Sequence, residues 1–295
     1  MTDSNSYFID VESSAELSRL IGQHRLFSQM YQGAVWPELP PEVVTRLEDV
    51  LDVSCGPGGW VLDVARQEHK RAVGIDLSES MIEYAQVQAR EMGLENSAQF
   101  RVMDATQPLQ FPDAIFDLVN IRFLVGFLPR RLHDRFFSEV VRLLRPGGVL
   151  RITESELGYT SSPALERFAQ LLIQSLKAAG HGAGVPGPHM GMLLLLPHLL
   201  CEHGFEQIAR SEILGEYSAG SPLHAGFYED WKAAYKLSQP FFLEQGSITQ
   251  AEVDELYEQM LSDMRNQDFL GFYDLVTYIG YKPEQNEANH TVSST

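Results

Sequence analysis

The stretch that most constrains this chain is DVLDVSCGPGGWV, residues 49–61. Val50, Leu51 and Val53 form an apolar run too brief for a helix, which suits a strand buried on both faces of a parallel sheet. Gly56, Gly58 and Gly59 follow at once, removing side chains where the chain must bend into a helix and opening the backbone amides to a ligand. A dinucleotide fingerprint, G-x-G-x-x-G, would need a third glycine where Val61 stands, so that pattern is broken. Asp76 closes the next apolar run, AVGID at 72–76, about twenty residues on, where a carboxylate can accept hydrogen bonds from ribose hydroxyls. Asp76 alone suits NAD or any adenosyl ligand.

Around this unit, strand-like and helix-like runs alternate, the pattern of a doubly wound α/β sheet with right-handed crossovers. The spacing predicts strands at 99–103, 115–121 and 148–153, with a helix at 130–144 stopped by Pro146 and Gly147. Ser78 is the expected N-cap of a helix carrying Met81, Ile82 and Ala85. Ahead of the sheet, Ser13 and Glu16 stand at capping-box spacing before Leu17, Leu20, Ile21, Phe27 and Tyr31, which predicts an amphipathic helix over 13–31. Its functional reading is a flap in which Arg25, Met30 and Tyr31 contact ligands. Three prolines in WPELPP, 36–41, then make a stiff connector.

Farther on, a helix is expected at 163–179, followed by the glycine-rich loop HGAGVPGPHMG at 181–191 and a buried helix around MLLLLPHLL, 192–200. Residues 205–214 and 271–279 read as sixth and seventh strands. The long interval between them holds two helical patterns, 222–243 and 249–265, rich in aromatics such as Phe227, Trp231 and Phe242, and is expected to form a lid. The polar tail from Pro283 is expected to be mobile.

A net charge of −18 opposes binding to phosphate backbones, which depends on clustered Lys and Arg, so a small-molecule partner is expected and nucleic acid is not. The two cysteines, Cys55 and Cys201, suggest neither a disulfide framework nor a metal site, and a reducing cytoplasm fits them. The acidic start lacks the apolar core of a secretory signal, and no run approaches the roughly 20 apolar residues of a membrane span, so no membrane association is expected.

LDVSCGPGGW at 51–60 resembles the first motif of the class I S-adenosylmethionine-dependent methyltransferases. VGIDLSESMIEYA (73–85), FRVMDATQ (100–107), FDLVNIRFLVGFL (116–128) and LLRPGGVLRITE (143–154) match further motifs in order, so the resemblance covers roughly residues 45–155 well. It implies a Rossmann-like seven-stranded sheet, mostly parallel with an antiparallel last strand, and S-adenosyl-L-methionine as cofactor. The implied organisation is an N-terminal flap (1–44), a cofactor-binding core (45–155), the rest of the sheet with a helical lid inserted at about 215–268 (156–282), and the tail (283–295).

By the same resemblance Asp52, Ser54, Gly56 and Gly58 surround the amino acid end of the cofactor. Asp76, Leu77 and Met81 hold the ribose and one adenine face, Asp104 and Ala105 address the adenine edge, and Tyr31, Asn120 and Ile121 lie near the methionine portion. Methyl transfer is an in-line displacement that positioning alone can accelerate. If the acceptor needs deprotonation, His189 and Glu154 are the first choices for a base, ahead of His181 and Glu156. The expected reaction is methyl transfer to an oxygen, nitrogen or carbon of a small hydrophobic metabolite of secondary metabolism, by a homodimer. The alternatives are a non-catalytic adenosyl-ligand scaffold and an NAD-dependent oxidoreductase, the latter opposed by the missing third glycine and by Asp104.

Overall fold

The structure, a computed structural model, describes residues 7–246 and 248–284. Residues 1–6 and the expected tail from 285 onward lie outside the described residues. Five parallel strands, β1 (Asp49–Val53), β2 (Arg71–Asp76), β3 (Ala98–Val102), β4 (Phe116–Arg122) and β5 (Leu144–Glu154), lie in the order β3-β2-β1-β4-β5. The remaining strands are a two-residue β6 (Tyr159–Thr160), β7 (Glu206–Glu216) and the last strand β8 (Gly271–Tyr281). β8 runs antiparallel to β5, with β7 on its other edge. β6 takes up the start of β8 where β5 leaves off, making eight strands where seven were expected.

Period-two alternation divides the strand side chains between two cores. Val50, Leu118 and Val149 face one, under Trp36 and Trp60. Leu51, Val119, Ile121 and Ile152 face the larger one, shared with the C-terminal helices. Three polar residues interrupt the first of these faces. Asp52, Asn120 and Arg151 pair in register across β1, β4 and β5, and all are buried.

Helix α1 (Ser14–Met30) precedes the sheet, and the short α2 (Pro41–Arg46) follows the proline connector. Ser13 makes no side-chain cap, because Glu16 turns inward to Arg19 instead of back toward the helix start. α3 (Gly59–Gln67) and α4 (Glu79–Glu91) follow β1 and β2, and the Ser78 hydroxyl accepts from the Met81 amide as the expected N-cap of α4. The helix expected at 130–144 begins as a 3-10 turn at Arg130–Leu132 and continues as α6 (His133–Leu143), and an additional one-turn helix, α5 (Leu124–Phe127), precedes it. Pro146 and Gly147 fall inside β5, which begins at Leu144 and shifts register there.

α7 (Pro163–Ala178) and α8 (Met192–Glu202) follow. α8 is buried on one face only, since Leu194 is 72% exposed. α9 (His224–Glu244) and α10 (Gln250–Met264), the latter with a complete Thr249/Glu252 capping box, form the insertion between β7 and β8. Phe168 of α7 packs on Trp231, Tyr235 and Phe242 of α9, and α1 packs along α9, so the insertion is tied to the helix that precedes the sheet.

Candidate active site

A cavity of about 240 Å³ opens at the C-terminal ends of β1, β2 and β4, where open α/β sheets bind ligands. Ser54, Gly56 and Gly59 form its floor at the turn. Ser54 holds φ +58°, a left-handed conformation that costs a residue with a Cβ about 1–2 kcal/mol. Such strain persists where the surroundings demand it. A Cβ on Gly56 would meet only Leu20 Cδ1, at 3.5 Å, whereas one on Gly59 would run into the His24 ring at 2.3 Å. Two side chains of α1 therefore roof the turn.

Asp76 stands at the end of β2 with its Oδ2 accepting from the Gly56 amide at 2.8 Å and its Oδ1 from the Ser78 amide at 3.0 Å. Burial pushes its pKa up, and the amide hydrogen bonds oppose that shift. Leu77, Met81 and Ala105 offer an apolar slot beside it. Past β3, Asp104 directs Oδ1 to the Thr106 amide and hydroxyl, at 2.8 and 2.7 Å.

The same cavity continues into an aromatic chamber bounded by Phe8, Phe123, Phe127, Phe168, Trp231 and Tyr273. One wall is charged. Arg19 bridges Glu16 (2.7 Å) and Asp230 (3.0 Å), with the Tyr7 hydroxyl donating to Glu16 at 2.9 Å. Two carboxylates to one guanidinium leave this wall electron-rich. Burial raises the pKa of Asp230, opposed mainly by Arg19. The segment leading to α1 crosses the opening, and Glu12 clasps it to the start of α4 through the Glu79 and Ser80 amides.

Residues 50–148 match the family model described as a methyltransferase domain. That segment is a methyltransferase domain. The chain is 32% identical over 134 residues to the ajmaline N-methyltransferase of Rauvolfia serpentina, covering 45% of each chain. It is 42% identical over 100 residues to the phosphatidylethanolamine N-methyltransferase of Cereibacter sphaeroides, covering 34% of this chain and 46% of the other. The chain thus spans less than half the length of these curated relatives. The YcgJ protein of Bacillus subtilis is similar in structure, with a TM-score of 0.51 at 16% identity over 89% of this chain and 99% of that one. A geranyl diphosphate methyltransferase solved in complex with SAM gives 0.50 at 15% identity, covering 94% of both chains. The fold is that of the class I methyltransferases, with the antiparallel last strand that the resemblance implied and the strand order β3-β2-β1-β4-β5 before it.

Within the methyltransferase domain, seven of the twelve expected cofactor residues line the cavity: Ser54, Gly56, Asp76, Leu77, Met81, Asp104 and Ala105. The other five do not. Gly58 (φ +79°) is a packing glycine, since a Cβ there would fall 2.5 Å from Phe100 and 2.8 Å from Ala85. Ile121 points into the large core, on the face opposite Asn120. Asp52 and Asn120 belong to a buried chain beneath the site. Asn120 donates to Asp52 Oδ1 at 2.7 Å and accepts from Arg151 at 2.7 Å, and Arg151 in turn pairs with Glu38 of the proline connector. Tyr31 lies under the Arg151 guanidinium, 5.9 Å from its ring centre, with its hydroxyl toward Thr277. Arg25 is exposed, so α1 presents Arg19, Leu20, Gln23 and His24 to the cavity instead.

Both first choices for a base are also displaced. His189 is exposed, because Glu156 accepts the Met190 and Gly191 amides at 2.7 and 2.9 Å and thereby turns Met190, not His189, into the cavity. Glu154 is fully buried off the cavity, with Oε1 accepting from the Val125 amide at 3.0 Å and Oε2 without a partner. Burial pushes its pKa up to about 8, so at neutral pH it is a carboxylic acid supporting the first turn of α5. His181 is likewise buried, its Nδ1 2.7 Å from the Val125 carbonyl.

Several polar groups that line the cavity escaped the reading of the motifs, Glu16, Arg19, His24, Asp230 and Arg122 among them. Arg122, the last residue of β4, lines the cavity two positions beyond Asn120 on the same face. Its signal was a lone basic residue closing an apolar strand at the ligand edge.

Proposed function

We propose that this chain transfers the methyl group of S-adenosylmethionine to an oxygen or nitrogen of a small, largely hydrophobic acceptor. The observation that carries the reading is that one cavity joins an adenosyl-type cradle to an aromatic chamber. The cradle fits the cofactor: a glycine turn with room above Gly56, a fixed carboxylate at Asp76, a flat apolar slot, and an acidic group at Asp104. Bound there, the cofactor supplies an electrophilic methyl on a sulfonium.

The chain's own part is then alignment and exclusion of water. The chamber walls fix the acceptor's approach, α1 and the segment before it cover the opening, and near-attack positioning of this kind is worth roughly 7–11 kcal/mol in favourable systems. No imidazole or exposed carboxylate stands where Glu154 and His189 were expected to act, which supports alignment rather than a dedicated base at those positions. The aromatic walls also suit a passing cation. The charge of −18 supports a small-molecule partner. No helix among the described residues is long and apolar enough to cross a membrane. A cytoplasmic location, a role in secondary metabolism and a dimeric state are part of the same reading, the last checked by light scattering.

The test is calorimetry with S-adenosylhomocysteine, followed by assays with S-adenosylmethionine against a panel of amines and phenols. Binding of the product together with methylation of at least one acceptor is expected. Absence of binding refutes the cofactor assignment, and tight binding without turnover on any acceptor leaves only the scaffold.

A further inference from the structure

Strand β7 pairs with β8 alone, so its other edge ends the sheet. The Tyr217 amide donates to the Gly271 carbonyl. By the alternation of an antiparallel ladder, the odd-numbered residues of β7 then turn their backbone groups to β8, and the even-numbered ones turn theirs outward. The Glu216 carbonyl accepts from the Ser221 hydroxyl, which closes that end. Among the described residues, no other element reaches the amides or carbonyls of Arg210, Glu212 and Leu214. At the opposite end Gln207, at φ +49°, makes a bulge that breaks the ladder between Glu206 and Ala209. The free edge therefore runs from Ile208 to Leu214 and is centred on Ser211.

An unpaired strand edge is a template for another strand, and charge is a common means of blunting it. Here the charges are self-complementary instead. Arg210 and Glu212 stand on either side of Ser211, 2.8 Å apart in an ion pair, and both are exposed. A two-fold axis through Ser211 sets Arg210 opposite the partner's Glu212 and Glu212 opposite the partner's Arg210, so the four charges alternate in sign. The same axis sets Ile208 opposite the partner's Leu214, a side chain left 60% exposed in the single chain. Moving the axis onto Arg210 or Glu212 would put like charges face to face, which fixes the register. Tyr278, opposite Arg210 on β8, donates its hydroxyl to the Leu193 carbonyl of α8, and Leu194, next in sequence, is exposed, so apolar surface flanks the edge on this face. The net charge of −18 drives copies of the chain apart, but this stretch is locally neutral.

We infer that a second copy of this chain docks antiparallel on β7 across a two-fold axis at Ser211, joining two sheets into one. The inference rests on the dimeric state in the reading above and supplies its surface. Sedimentation velocity of the full chain over a concentration series tests it, for wild type, Arg210→Glu and Glu212→Arg. Each single variant brings four like charges together and should weaken the dimer more than about 10-fold. Mixed in equal amounts, the two variants should form a heterodimer of about wild-type affinity, because every opposing pair is then of opposite sign again. Hydrogen exchange on the wild-type chain gives a readout that needs no variant: the amides of Arg210, Glu212 and Leu214 should be protected in the dimer and exchange quickly on dilution to monomer. A dimer indifferent to either swap, a mixture of folded variants that does not pair, or unprotected amides in a dimeric wild type overturns this edge and leaves the dimeric state standing. A wild-type chain that stays monomeric overturns both. Species that grow beyond a dimer with concentration also overturn the inference, because a two-fold contact closes on itself. Circular dichroism checks that both variants fold. None of these outcomes touches methyl transfer, which the calorimetry above tests separately.

Discussion

Replacing Glu154 by Gln should separate a structural carboxyl from a catalytic one. In the folded chain its pKa lies near 8 because burial disfavours the ionised form, whereas in the unfolded chain it returns to about 4.5. A carboxyl whose pKa is higher folded than unfolded favours folding most at low pH. Its contribution is complete below pH 4.5, declines through the interval between the two values, and is gone above pH 8. At about 1.4 kcal/mol for each unit of separation, the full swing is on the order of 5 kcal/mol, of which about 3 kcal/mol has been lost by pH 7. Gln has the same shape and can still accept from the Val125 amide, but it does not titrate. Urea unfolding of both proteins from pH 5 to pH 9 should show the wild-type midpoint falling steadily relative to Glu154→Gln. Methyl transfer at pH 7.5 should stay within about threefold, because the side chain does not reach the cavity. Parallel stability curves would refute the burial argument, and a hundredfold loss of rate with intact folding would restore Glu154 as a base.

Three further outcomes are expected. Gly58→Ala combines a left-handed φ with overlap against Phe100 and Ala85, and should cost about 2–4 kcal/mol in denaturant melts. His189→Ala should leave the rate within twofold, while Glu156→Ala, which frees the Met190 and Gly191 amides, should make the 181–191 loop an early site of limited proteolysis and slow the reaction. Ser54→Gly should gain up to about 1 kcal/mol in thermal stability by removing strain at φ +58°, and binding of S-adenosylhomocysteine should weaken if the hydroxyl contacts the ligand.

The part of the cavity built on the glycine turn was legible because its signals are local. A strand end, a glycine bend and an acidic residue closing the next strand fix where Gly56 and Asp76 stand, whatever the rest of the chain does. The errors came from side chains whose roles are set by distant partners. Asp52 and Asn120 look like ligand residues in their motifs, yet Arg151 is buried beside them and donates to the Asn120 oxygen, while the Asn120 amide donates on to Asp52. The phase of the flap was misread for a similar reason. Glu16 reads as a capping-box partner of Ser13 until Asp230, more than two hundred residues from Arg19, supplies the third member of the Glu16–Arg19 cluster. His189 depended on one carboxylate, Glu156, deciding which way a glycine-rich loop turns.

Helix α1 touches the glycine turn through Leu20 and His24, and it touches the insertion through Arg19 with Asp230 and through Leu26 against Gly226. Under the proposed function, release of the cofactor product and loading of the acceptor therefore share a single roof. That arrangement is expected to impose an order in time on the catalytic cycle, visible as competitive inhibition by S-adenosylhomocysteine against one substrate and noncompetitive inhibition against the other.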